Sequence, residues 1–237
     1  MVRQWLGSII FTLVFSVSAL IWAVVITASL PFPRNVAYRL VVFWVRAMFG
    51  LLKVLCRLDY RVEGLENVPS DNTVVLLKHS SVWETLVQFI IFPPQTWVIK
   101  REILWAPFIG SAVLALKPIA INRKAGKSAV EQVVEQGTQR LADGLWVMIF
   151  PEGTRMRAGE TRRYGVSGAL LAQRNGRRIL PVAHNAGSYW PRRGWLKRPG
   201  TIQLVIGPPI ETEDRPVRKI NQETQDWIEK TIAEMPP

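Results

Sequence analysis

The chain has 237 residues, enough for one globular domain with a full core plus an appendage, and a formal net charge of +12. Its one cysteine, Cys56, excludes an internal disulfide framework and argues against a cysteine-based zinc site. A balance this basic points to a polyanionic partner, an anionic membrane surface or a nucleic acid.

The position of the charge separates those two. Residues 1–58 carry six basic residues (Arg3, Arg34, Arg39, Arg46, Lys53, Arg57) and no acidic one, while the rest of the chain mixes 24 basic with 18 acidic residues. The stretch 5–30, WLGSIIFTLVFSVSALIWAVVITASL, has no charge at all. As a helix it rises ~39 Å, more than the ~30 Å hydrocarbon core of a bilayer. It is also longer than the apolar centre of a signal peptide, about 7–15 residues. Pro31 and Pro33 end it. In 35–57 the cations Arg39, Arg46 and Lys53 recur every seven residues, followed by Arg57 four positions on. On a helix they form one narrow basic stripe, and the remaining surface is largely Val, Phe, Trp, Leu and Met. That pattern favours a helix lying in the headgroup plane over one that packs its apolar side on protein. Residues 1–58 are therefore expected to be a membrane-binding two-helix segment. Ten tryptophans agree with an interfacial protein. The excess charge follows the apolar segment and no nucleic-acid motif is present, so no nucleic-acid partner is expected.

From residue 59 to 237 the pattern is that of an α/β domain. Short apolar runs predict strands at Tyr60–Glu63, Thr73–Lys78, Thr96–Lys100, Ala120–Asn122, Trp146–Phe150, Arg178–Ala183 and Thr201–Ile206. Helical segments between and after them are predicted at Val82–Ile91, Ala106–Leu116, Lys127–Ala142, Ser167–Asn175 and Ile220–Glu234. The expected fold class is α/β: a mixed, largely parallel sheet flanked by helices, preceded by the membrane-associated helix pair.

In such folds chemistry collects in loops at the carboxyl ends of strands. The first such loop reads KHSSVWET, residues 78–85. On one continuous helix His79 and Glu84 would point about 140° apart. They meet only if His79 stays in the loop and Glu84 begins the next helix. A carboxylate on one ring nitrogen would then fix the tautomer and leave the other nitrogen as a base. The competing reading is a capping loop with a structural histidine. The second loop, PEGTRMR at 151–157, suits a phosphate. Gly153 lets backbone N–H groups approach an anion, Thr154 supplies a hydroxyl, and Arg155 supplies a planar fork of donors. Glu152 beside these donors suggests a ligand that also carries hydroxyls. Lys100 with Arg101, and Arg123 with Lys124, add cations after two further strands; a solvated basic face explains any one of them equally well. His184, in LPVAHN, reads either as a second acid/base group or as a satisfied strand-end histidine, and the second reading is favoured.

The order H-x4-acid, arginine after an apolar strand, FPEGTR (150–155) and LPVA (180–183) resembles the glycerolipid acyltransferase family, in particular the bacterial 1-acyl-sn-glycerol-3-phosphate acyltransferases. The resemblance covers roughly residues 60–210 and is most specific at FPEGTR; the apolar amino-terminal pair is similar to the membrane-docking element of that family. It implies transfer of an acyl group from an acyl-CoA or acyl carrier protein thioester to the sn-2 hydroxyl of a lysophosphatidate, giving phosphatidic acid. His79 and Glu84 would be the catalytic pair. Lys100, Arg123, Glu152, Gly153, Thr154 and Arg155 would bind the substrate, with Glu152 near the glycerol. No metal or cofactor is implied beyond the thioester co-substrate, and the place implied is the cytoplasmic face of a bacterial inner membrane, among its lipids. Two features depart from the family: Glu84 stands where Asp is usual, and Arg162-Arg163-Tyr164-Gly165 only loosely represents the usual Phe-Lys-Lys-Gly. Another lysolipid acceptor, such as a lyso-ornithine lipid or lysophospholipid, is the alternative within the class. A basic nucleic-acid-binding membrane protein is the remote one.

Overall fold

The computed structural model describes residues 1–92 and 94–236. Two long helices open the chain, α1 (Val2–Ala28) and α2 (Arg34–Cys56). The α/β part follows as β1 (Leu58–Glu63), β2 (Val74–Leu77), α3 (Trp83–Ile91), β3 (Gln95–Lys100), α4 (Ile109–Leu114), β4 (Ile119–Ile121), α5 (Lys127–Ala142), β5 (Trp146–Ile149), α6 (Ser167–Arg174), β6 (Ile179–His184), α7 (Ala186–Tyr189), β7 (Gly200–Ile206) and α8 (Val217–Glu234). All seven predicted strands are present, with ends moved by one or two residues. The predicted helix Ala106–Leu116 is shorter. Phe108 takes φ +61°, outside the helical region, so α4 begins only at Ile109, after a 3-10 turn at Arg101–Trp105.

The strands form one sheet in the order β1-β7-β6-β2-β5-β3-β4. Every pairing is parallel except β6 with β7. Alternate side chains of the buried strands serve two cores. Val75 and Leu77 of β2, with Met148 of β5, pack under α1, α2 and α3. Val74 and Leu76, with Val147 and Ile149, pack under α5, α6 and α8. Both faces are covered, so β2, β5 and β6 are continuous apolar runs rather than alternating ones. Because β2, β5, β3 and β4 are parallel neighbours, their carboxyl ends share one edge of the sheet. The loops carrying His79, Glu152–Arg155, Lys100 and Arg123 are gathered there.

The helix pair differs from expectation. The apolar face of α2 is not offered to lipid: Val41, Trp44, Val45, Met48, Phe49 and Leu52 are buried on the protein. Its basic stripe, Arg39, Arg46 and Lys53, is exposed, with Lys53 2.7 Å from Asp59. The pattern is amphipathic as read, and most of the apolar face meets protein, while Phe43 and Val54 stay exposed beside the basic stripe. The exposed apolar helix is α1, which is long and apolar enough to cross a membrane and has only 17% of its most apolar 18-residue window buried. It runs along the domain and is tied to it at both ends. Gln4 Nε2 donates to the carbonyls of Cys56 (2.8 Å) and Lys197 (2.6 Å), and the Thr27 and Ser111 hydroxyls are 2.8 Å apart.

Candidate active site

The loop after β2 is shaped by a helix start. Ser81 and Glu84 brace the turn just ahead of α3: the Trp83 N–H donates to Ser81 Oγ (3.1 Å), and Glu84 Oε1 accepts from the Ser81 N–H (2.8 Å). The same Glu84 oxygen accepts from the Ser80 N–H at 3.0 Å and lies 2.9 Å from His79 Nδ1. One carboxylate oxygen therefore both holds the turn and meets the His79 ring. The backbone donors hold the oxygen still, and the oxygen sets the ring. Nδ1 carries the proton toward Glu84, which leaves Nε2 to act as a base. The ring is also stacked on Phe150, with centroids 4.1 Å apart and planes 22° apart.

Glu84 is fully buried. Burial alone pushes its carboxyl up, but the His79 hydrogen bond and the Ser81 N–H outweigh it and hold it below its ordinary value, in the ionised form. His184 lies behind it, with Nε2 3.9 Å from Glu84 Oε2. That ring is buried: Nε2 meets the Lys78 carbonyl at 2.8 Å, and Nδ1 accepts from the Ala186 N–H at 3.2 Å. Burial depresses its pKa, so the ring is neutral, with both nitrogens occupied. His184 is a structural brace on the His79 loop and not an acid/base group open to substrate.

The loop after β5 is pinned to the His79 loop from several sides. The Met156 N–H donates to the His79 carbonyl (2.7 Å), and the His79 N–H donates to Glu152 Oε2 (3.2 Å). Gly153 has φ +66°, a left-handed turn that glycine adopts without strain. Its own N–H is used within the turn, on the Phe150 carbonyl at 3.0 Å, so the backbone donor expected there does not face a ligand. Its carbonyl accepts from Arg123 at 2.8 Å, which brings the β4 loop to the site. A cleft of about 420 Å³ opens beside His79, and Lys100, Arg123, Glu152, Gly153 and Arg155 line it. Thr154 lines a smaller adjoining recess that His79, Arg123 and Arg155 share. Arg155 Nε is buried with no hydrogen-bond partner among the described residues, a donor held ready at the cleft wall. Lys100 is exposed and 3.4 Å from Glu102. The candidate site residues thus lie at one place, with Glu84 behind the cleft, six on its walls and Thr154 in the adjoining recess.

Several contributors went unread in the sequence. Lys78 is buried, and its ammonium reaches Glu229 Oε1 of α8 (2.7 Å), the Glu160 carbonyl (3.1 Å) and Glu152 Oε1 (3.2 Å). Glu229 also accepts from Thr161 Oγ1 (2.8 Å) and the Tyr164 hydroxyl (2.9 Å). A lysine ending the run TVVLL already signals a buried cation that needs acidic partners. Nothing local marks Glu229 as one of them. Arg162 and Arg163 line the cleft as well.

Burial pushes the Glu152 carboxyl up to about 7 from 4.5, against the pull of Lys78. A folded-state pKa above the unfolded one favours the protonated carboxyl in the fold. Stability should therefore decline as pH rises from about 4.5 to about 7. Thermal melts across that range are expected to show this slope in the wild type and a flatter one in Glu152→Gln. Parallel slopes would show that Glu152 does not titrate there.

The chain matches the family model described as Acyltransferase over residues 59–185. It is 43% identical over 241 residues to the 1-acyl-sn-glycerol-3-phosphate acyltransferase of Pseudomonas aeruginosa, covering 99% of this chain and 93% of that one. The enzyme of the same name from Borreliella burgdorferi is 28% identical over 176 residues, 73% of this chain and 70% of that one. The crystal structure of a 1-acyl-sn-glycerophosphate acyltransferase from Thermotoga maritima superposes with a TM-score of 0.80, covering 98% of this chain and 96% of that one at 19% identity; it shares the fold.

Proposed function

The chain belongs to the acyltransferase family, and from that premise we propose that it transfers a fatty acyl group from an acyl thioester to the sn-2 hydroxyl of 1-acyl-sn-glycerol-3-phosphate. The product is phosphatidic acid, and the reaction is a step of phospholipid synthesis. The observation that carries the reading is the His79–Glu84 pair at 2.9 Å, with the second ring nitrogen left to a cleft walled by cations.

His79 Nε2 takes the proton of the sn-2 hydroxyl as its oxygen attacks the thioester carbonyl. Glu84 keeps Nδ1 protonated and stabilises the imidazolium that forms. The tetrahedral intermediate collapses with release of the thiolate, and the proton on Nε2 passes to that leaving group. A thioester is already activated, so no acyl-enzyme is required, and each step uses only the chain's own side chains, without metal or cofactor. Arg155 and Arg123 hold the acceptor's phosphate, with Lys100 and Thr154 at its margin. Glu152 faces the glycerol. The donor is acyl-CoA or acyl-carrier protein, both acidic and suited to a basic surface.

The acceptor is a lipid, and α1 is the element that meets its bilayer. With both ends tied to the domain, α1 lies in one leaflet rather than crossing, since crossing would break one set of ties. Cytoplasmic thioester donors and the basic residues around α1 support the cytoplasmic face of a bacterial inner membrane.

Arg155→Ala is expected to raise the apparent KM for lysophosphatidate about tenfold or more, through loss of a charge-assisted hydrogen bond, and to leave the KM for the acyl donor unchanged. Initial rates with each substrate varied in turn would check this. A change confined to the donor would remove the phosphate role. Equal rates on a phosphate-free lysolipid would move the assignment to another acceptor.

A further inference from the structure

Between β3 and β4 the chain turns outward through the 3-10 turn and α4. Trp105 is left 70% exposed and Phe108 64% exposed, and Ile109 and Leu114 are exposed beside them. These side chains are not on a loose loop. The Gly110 N–H donates to the Ala106 carbonyl at 2.8 Å, and a Cβ on Gly110 would come within 2.1 Å of the Leu104 carbonyl. Phe108 has φ +61°, a conformation that bulky residues avoid, and it holds an aromatic ring outward. Large apolar side chains kept in the open by a fixed backbone mark a contact surface.

The surroundings identify the partner. The patch joins α1 directly: Thr27 Oγ1 reaches Ser111 Oγ at 2.8 Å and the Phe108 carbonyl at 3.5 Å. Leu30 and Phe32, exposed just beyond α1, extend it. Its base carries cations: Lys100 and Arg101 are exposed, and the Arg101 guanidinium lies 6.0 Å from the Trp105 ring centroid. Aromatic rings with cations beside them suit the boundary between acyl chains and anionic headgroups. On its inner side the same segment walls the cleft, which Lys100 and Ile103 both line.

We propose that residues 101–114 form a second membrane-inserting element, in which Trp105 and Phe108 enter the bilayer beside α1 and the acceptor's acyl tail passes from lipid to cleft along Ile103. This rests on the reading of α1 as lying in a leaflet. The occupant is a lipid bilayer, because the patch continues the α1 surface, carries a cationic base and borders the cleft assigned to a lipid.

The test is sedimentation of the full chain with vesicles of phosphatidylethanolamine and phosphatidylglycerol, comparing wild type, the double variant Trp105→Ser/Phe108→Ser, and Val17→Glu on the exposed face of α1. Removing two large apolar side chains is expected to weaken vesicle partition about tenfold or more. Thermal melting should not change, since both rings are exposed. Turnover of lysophosphatidate in detergent micelles should stay at the wild-type level, and turnover of vesicle-embedded lysophosphatidate should fall. Unchanged partition of the double variant, with that of Val17→Glu lost, would overturn the second element alone. Failure of the wild type to sediment would sink the α1 reading as well. A wild-type dimer that the double variant converts to monomer, with vesicle binding intact, would assign the patch to a second copy and overturn the proposal.

Discussion

His79→Ala is expected to lower turnover of lysophosphatidate by about 10³-fold while leaving folding and vesicle binding intact, because it removes the base proposed to take the acceptor's proton. The ring's structural contacts are few: one hydrogen bond to Glu84 and a stack on Phe150. The Ser80 and Ser81 N–H groups still hold Glu84 without it, so the start of α3 survives. Glu84→Gln is the companion test. An amide oxygen still accepts the backbone donors and the Nδ1 proton, but the negative charge that favours imidazolium is gone, and a loss of about 10²-fold or more is expected with little change in melting. Steady-state rates with circular dichroism melts check both. Wild-type activity in His79→Ala would remove the proposed base.

The largest effect on stability is expected at Lys78. Its ammonium is buried between Glu152 and Glu229, whose carboxylates depend on it for compensation. Lys78→Met keeps much of the volume and removes the charge. Breaking a buried pair by deleting one partner costs about 3–5 kcal/mol, because the other charge stays buried and uncompensated. Denaturant unfolding should show that loss. The double variant Lys78→Met/Glu229→Gln should recover part of it, since it removes one of the orphaned carboxylates. A cost under about 1 kcal/mol, with no coupling to Glu229, would show that the cluster is not an energetic unit. Catalysis should suffer too, because Lys78 steadies Glu152, and Glu152 accepts the His79 N–H.

These two residues are adjacent, yet their legibility in the sequence differed. His79 could be read with its partner because Glu84 is five positions away and the pair is joined within one turn of chain. The sequence already placed Glu84 in the first turn of the helix predicted at Val82–Ile91; the Ser80 and Ser81 N–H groups that hold its oxygen there are seen only in the structure. The partner of Lys78 in α8 is 151 positions away, and no local pattern announces it. The Gly153 N–H shows a different failure. A glycine in a phosphate-like loop licenses a close backbone approach, but whether its N–H faces a ligand or the Phe150 carbonyl depends on the path of the whole turn.

By itself the sequence determined the seven strands, all the helices of the α/β part except the short α7, the carboxyl-end loops that carry the candidate residues, the pairing of His79 with Glu84, and the long apolar helix. Each follows from interactions within a few residues: alternation, periodicity, capping and proline punctuation. Tertiary structure alone decided which apolar medium each amphipathic surface meets. A helix face rich in Val, Trp and Leu is equally content in lipid or in a protein core, so the pattern of α2 could not tell the two apart. The fold buried α2 against α3 and the sheet, tied α1 along the outside, and left Trp105 and Phe108 facing away from the core. It also brought Lys100, Arg123 and Arg155 to one cleft, because only strand order, which no local residue pattern encodes, makes β2, β5, β3 and β4 neighbours.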